Sequence, residues 1–139
     1  MTRSMSIGIM GATGLVGTEM LRILDERAFP VTELRAYASP RSEGRKLPFA
    51  GGDVSCEVLR PGCFDGLDLV IVDVDDPLAL EWAPRAAAAG AKVVDNSAAF
   101  RTDAEVPLVV AEVNPDDILG RVLAAVPVPL TDLARTTAA

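Results

Sequence analysis

The sequence predicts an α/β fold built on a doubly wound parallel sheet, and three observations carry the prediction. An apolar run, SIGIM, leads into a glycine-rich turn that opens a helical pattern; strand-like and helix-like segments then alternate; and the later strands are apolar at nearly every position. Alternation of this kind implies βαβ units with right-handed crossovers, and uniformly apolar strands are those buried on both faces of a parallel sheet.

The elements follow in order. Residues 5–10 form the first strand. After Gly14 the apolar side chains fall at Val16, Met20 and Ile23 or Leu24, the spacing of one helix face. A second extended segment starts at Pro30, and a loop then leads to short strands near residues 47–49 and 54–59. Residues 68–74, DLVIVDV, are rich in β-branched residues and without amphipathic alternation, which predicts a strand buried on both faces. Asp76 and Pro77 predict a helix N-cap followed by proline at the first helical position. From there Leu78, Trp82, Ala86 and Ala89 repeat at helical spacing up to Gly90, with Pro84 expected to kink the helix or reset its first turn. Residues 91–95 (AKVVD) form another strand, residues 106–114 (VPLVVAEVN) a further extended run, residues 114–117 the start of a short helix, and residues 122–126 a last strand. This places a Rossmann-like domain over residues 1–126. Residues 127–139 form a divergent tail, disordered over 136–139.

Composition bounds the function. With 139 residues, half of them hydrophobic, the chain suits one domain with a substantial core. A net charge of -7 and the lack of a basic stripe exclude nucleic acid as an expected partner. Cys56 and Cys63 show no paired-cysteine spacing and the chain has no histidine, so they read as reduced thiols and no metal site is expected. No apolar run approaches the length of a membrane span and the N-terminus reads as a strand, not a signal peptide, so a soluble cytoplasmic protein is expected.

The residues that bear chemistry begin with GATGLVG, residues 11–17. Glycines at Gly11, Gly14 and Gly17 let the backbone approach a pyrophosphate while the N–H groups of the turn and of the following helix terminus face the anion. Gly11, Thr13, Gly14, Leu15, Val16 and Gly17 are therefore candidate cofactor-binding residues. NAD-preferring domains place an acidic residue near the end of the second strand to hold the ribose diol. Here the segment is YASPRSEGRK, and Ser39, Arg41 and Ser42 offer hydroxyls and a guanidinium, which suit the 2′-phosphate of NADP.

Together, GATGLVG, ASPRSEGRKL, EWAPRAAAAGAKVVDNSAAFR and VPLVVAEVNPDD resemble the N-terminal part of the aspartate-semialdehyde dehydrogenase family, in order from about Ser6 to Asp117. The sister family of N-acetyl-glutamyl-phosphate reductases tends to carry DLSADFR in the third block, so Asn96 favours the aspartate-semialdehyde branch. The resemblance implies NADPH-dependent reductive dephosphorylation of β-aspartyl phosphate in the biosynthesis of lysine, methionine and threonine through diaminopimelate and related routes. It implies that Arg101 binds the acyl phosphate or inorganic phosphate, with Asn96 and Ser97 lining the same loop. An ion pair of Arg101 with Asp103 or Glu105 is the competing reading.

The chain also departs from the family. The family's nucleophilic cysteine follows an asparagine at a helix head beyond the EVNPDD block, where this chain reads RVLAAVPVPLTDLARTTAA. Neither Cys56 nor Cys63 matches that motif, and the family's general-base histidine has no counterpart, so no catalytic residue is assigned and the chain alone is expected to be inactive. Asp73, Asp75 and Asp76 stand where the family has small residues, and their charge opposes a pyrophosphate, although Asp76 reads equally as a helix cap. Two alternatives stay open: a non-catalytic NADP-binding or interaction module, and the N-acetyl-glutamyl-phosphate branch. Uncovered apolar faces predict self-association or a full-length relative as partner.

Overall fold

The computed structural model describes residues 3–118 and 123–125. Seven strands form one sheet among these residues. They are β1 (Met5–Met10), β2 (Val31–Tyr37), β3 (Lys46–Phe49), β4 (Gly52–Glu57), β5 (Leu69–Val72), β6 (Lys92–Asp95) and β7 (Leu123–Ala125), with helices α1 (Leu15–Glu26) and α2 (Asp76–Ala88). The spatial order is β3-β4-β2-β1-β5-β6-β7. All neighbours run parallel except β3, which pairs antiparallel with β4 at one edge. The Rossmann-like class expected from the sequence is therefore the observed one. The chain turns from β1 to β2 on one side and crosses to β5 on the other, so the order reverses beside β1, where such sheets bind ligands.

Two apolar clusters occupy opposite faces of the sheet. One gathers Tyr37, Phe64, Val70, Val72, Val93 and the α2 face of Ala79, Trp82, Ala83 and Ala86. The other gathers Ile7, Ile9, Ala36 and Leu47 beneath Leu21 of α1. On this second face Leu69, Ile71 and Val94 are only half-buried, because α1 is the one helix on that face among the described residues. Full burial of the β5 strand, expected from its composition, holds on the α2 face alone.

Local chemistry explains where the elements differ from expectation. The β3–β4 connection is a two-residue hairpin through Ala50 and Gly51, with φ of 52° and 77°, the positive values that a type I′ turn needs. In α2 the N-cap is Asp75, and Asp76 is already helical. Neither acts as a side-chain cap within the helix; the Asp76 carboxylate instead accepts the Ala98 N–H at 3.0 Å. The helix runs unbroken through Pro84, because Pro84 and Leu80, whose carbonyl loses its donor there, both lie on the solvent side. Leu78 is exposed and Ala89 has left the apolar face, so burial follows Ala79, Trp82, Ala83 and Ala86.

Residues 106–114 are not a sheet strand, contrary to the extended run expected there. The side chain of Asn114 closes this segment into a loop: its Nδ2 donates to the Leu108 carbonyl at 2.9 Å and its Oδ1 accepts the Val110 N–H at 2.7 Å. Local bonds of this kind compete with a ladder. Pro115–Ile118 forms the short helical turn expected there, and β7 matches the last strand. The tail at residues 127–139 lies outside the described residues.

Candidate functional site

A groove of 490 Å³ opens across the C-terminal ends of β1, β2, β4 and β5. Gly11, Thr13 and Gly14 follow β1, Ala38, Ser39 and Pro40 follow β2, Val58 and Leu59 follow β4, and Asp73, Val74 and Asp75 follow β5, with Leu78 and Trp82 of α2 closing one wall. The first turn of α1 borders it at Gly14, the helix N-cap.

Packing accounts for the glycine turn. The Gly11 and Ala12 N–H groups both donate to the Tyr37 carbonyl, at 3.0 and 3.1 Å, which ties the turn to the end of β2. Gly11 has φ of 81°, and a Cβ there would sit 2.0 Å from the Asp73 carbonyl oxygen. A Cβ on Gly17 would stand 2.1 Å from the Gly11 carbonyl oxygen, so two of the three glycines are required for the turn to close on the helix and on β5. Gly14 is exposed and meets only the Gly11 carbonyl, at 3.3 Å. Its missing side chain leaves room in the groove.

The candidate cofactor residues divide accordingly. Gly11, Thr13, Gly14 and Ser39 share the groove. Leu15, Val16 and Gly17 form the first turn of α1 just beyond the groove's lining; Leu15 points to solvent and Val16 packs into the core. Arg41 and Ser42 lie in the helical turn Pro40–Ser42 just beyond Ser39, with Arg41 exposed at the rim.

The loop after β6 is organised by Asp95, which is fully buried. Its carboxylate accepts the Ser97 N–H at 2.9 Å and the Ser97 hydroxyl at 2.8 Å, and Ser97 Oγ accepts the Ala99 N–H at 3.2 Å. Burial pushes the Asp95 carboxyl above its usual range, against the lowering effect of these bonds. The hydroxyl of Ser97 is thus committed to the loop's own architecture. Asn96 donates from Nδ2 to Asp73 Oδ1 at 3.0 Å, and its own Oδ1 is buried without a partner among the described residues. Arg101 donates from Nη2 to the Asn96 carbonyl at 3.1 Å, so these two residues are neighbours at the β5–β6 end of the groove without lining it. Asp103 turns onto its own loop, accepting the Glu105 N–H.

Both cysteines stand apart from the groove. Cys56 is buried on β4, Cys63 half-buried in the following turn, and burial pushes both thiols up. Among the described residues no cluster of acidic residues and cysteines could hold a metal ion, and no helix is long and apolar enough to cross a membrane. The apolar wall of Tyr37, Val58, Leu59, Leu78 and Trp82 escaped sequence reasoning, because such side chains read as core. Trp82 is held edge-on to Phe64 with ring centroids 6.2 Å apart, and the Arg85 guanidinium lies 4.5 Å over its ring.

A family model described as the NAD-binding domain of semialdehyde dehydrogenase matches residues 6–121. The chain is 47% identical over 113 residues to an aspartate-semialdehyde dehydrogenase of Aquifex aeolicus, an alignment covering 81% of this chain and 33% of that protein. It is 47% identical over 120 residues to the enzyme of that name from Mycolicibacterium smegmatis, covering 86% and 35% respectively. The chain therefore spans about a third of the length of these relatives. Among solved structures, aspartate-semialdehyde dehydrogenase II of Vibrio cholerae, complexed with ASA, superposes with a TM-score of 0.84 at 40% identity, covering 90% of this chain and 42% of that one. The Candida albicans enzyme with NADP superposes at 0.73 and 27% identity, covering 88% and 42%.

Proposed function

The chain belongs to the semialdehyde dehydrogenase family through its nucleotide-binding domain, and from that premise we propose that it is an NADP-binding domain of the aspartate-semialdehyde type, acting in the nucleotide-binding third of the reductive dephosphorylation of β-aspartyl phosphate. The observation that carries this reading is the single groove that joins the glycine turn at Gly11 and Gly14 to Ser39 at the end of β2. The backbone N–H of Thr13 and those of the first turn of α1 hold the pyrophosphate, the Gly11, Ala12 and Gly14 N–H groups being bonded within the fold. Ser39, Ser42 and the exposed guanidinium of Arg41 hold the 2′-phosphate, for which a forked cation is suited. Arg101, tethered to the Asn96 carbonyl, presents its remaining donors to a phosphate at the β5–β6 end.

NADPH bound in this groove supplies a hydride for reduction of an acyl group. The 139-residue polypeptide binds without turning over: it has no histidine, and neither cysteine lines the groove or has a thiol disposed to ionise. Its domain comprises residues 1–126, it partners with a second copy or with a longer relative, and its setting is the cytoplasm.

The test is a pair of measurements on the purified chain. Arg41→Gln is expected to weaken NADPH binding roughly tenfold while leaving NADH unchanged, a difference of about 1.4 kcal/mol. Equal losses for both nucleotides place Arg41 outside the 2′-phosphate site and refute that assignment. In a phosphate-dependent assay with aspartate semialdehyde and NADP, no turnover is expected; sustained NADPH production contradicts the non-catalytic reading.

A further inference from the structure

The residues that line the groove include two aspartates, Asp73 and Asp75, and no lysine or arginine. We propose that Asp73 makes the groove discriminate between the two oxidation states of the dinucleotide, favouring the oxidised form with its cationic nicotinamide ring. The proposal rests on the dinucleotide reading above and adds to it a residue that sets which form is held.

Asp73 is fixed in place. Its backbone N–H donates to the Met10 carbonyl at 3.1 Å, its own carbonyl abuts Gly11, and its Oδ1 accepts the Asn96 Nδ2–H at 3.0 Å. Asn96 is anchored in turn by its N–H on the Val72 carbonyl at 2.8 Å. The carboxylate is half-buried, so water screens it less than a surface charge. Arg101 commits one Nη to the Asn96 carbonyl and lies outside the groove's lining.

Topology says which half of the ligand meets this pair. The strand order reverses beside β1, and a dinucleotide lies across that point with one mononucleotide on each side. Ser39 and the Pro40–Ser42 turn stand on the β2 side, where the adenosine ribose lies; Asp73 and Asn96 close β5 and β6 on the other, where the nicotinamide half lies. The oxidised ring carries one positive charge and the reduced ring none. A carboxylate on that side opposes both anionic ligands but opposes the reduced one more, whatever the detailed pose. At the separations of a ring and a groove wall, in the effective dielectric of a protein surface, the preference amounts to roughly three- to tenfold.

The experiment is calorimetric titration of the full 139-residue chain with NADP+ and with NADPH at low ionic strength, on wild type, Asp73→Asn and Asp73→Ser. Asparagine keeps the acceptor that Asn96 uses and removes only the charge; a circular dichroism melt establishes that each variant is folded. In wild type NADP+ is expected to bind roughly three- to tenfold more tightly than NADPH. In both variants the ratio should move toward unity, chiefly because NADPH binds more tightly. Binding of both forms with a ratio unchanged in the variants overturns the role of Asp73 and leaves the dinucleotide reading standing. Failure of wild type to bind either form overturns the dinucleotide reading and this inference with it.

Discussion

Gly11 and Gly14 sit three residues apart in one turn, yet different requirements hold them. A Cβ on Gly11 collides with the Asp73 carbonyl and forces a residue with a side chain to a φ of 81°. Gly11→Ala is therefore expected to destabilise the fold by about 1–3 kcal/mol, read as a lower urea midpoint. Gly14→Ala meets a single tight neighbour, the Gly11 carbonyl at 3.3 Å, and should lower the midpoint much less than Gly11→Ala while weakening NADPH binding, since Gly14 lines the groove. Equal loss of stability in both variants would contradict this division of roles. Asp95 gives a second prediction at this scale. Its folded pKa is raised by burial, so the stability it contributes is complete below its ordinary value of 3.8 and is lost as the pH rises through the raised value. The stability of wild type minus that of Asp95→Asn should decline as the pH climbs from 3.8, in urea unfolding across a pH series. A difference independent of pH in that window would contradict it. The glycine turn was legible in the sequence because its backbone requires glycine at Gly11 and Gly17. Asp95 was not, because an aspartate at a strand end reads as solvated until its Ser97 partners close over it.

Elements were legible where periodicity is strong and obscure where one local bond decides. The apolar runs of β1, β5 and β6 and the amphipathic face of α1 follow directly from their patterns, although β5 and β6 are fully buried on one face only. The hairpin between β3 and β4 did not, because Ala50 occupies a left-handed turn position usually held by asparagine, aspartate or glycine. Ala50→Gly should raise stability by about 1 kcal/mol by relieving that conformation, and a lower thermal midpoint would refute the turn assignment. At the start of α2 the sequence placed the cap one residue late, and the consequence reaches the neighbouring loop. Asp76, freed from capping, binds the Ala98 N–H and couples the helix to the loop that carries Asn96 and Arg101. Asp76→Ala is expected to cost about 1–2 kcal/mol and to speed hydrogen exchange at the Ala98 amide selectively. Uniform acceleration across the loop and helix would argue that Asp76 acts on global stability alone.

At the scale of the whole molecule, the sheet's two faces are unequal. One is sealed by α2 and the aromatic cluster around Phe64 and Trp82; the other leaves Leu69, Ile71 and Val94 half-covered beside α1. The family relation extends over about a third of the relatives' length. The sequence conveyed the groove through its glycine turn but not the apolar wall opposite, since Leu59, Leu78 and Trp82 acquire their role only when β4 and α2 converge. The central claim is that this groove holds NADP. The dissociation constant of NADPH for the 139-residue chain, measured by calorimetry at low ionic strength, tests it most directly. A single site in the micromolar range, with NADH bound about tenfold more weakly, is the expected result. No heat of binding at millimolar NADPH, with the protein folded by circular dichroism, would contradict it.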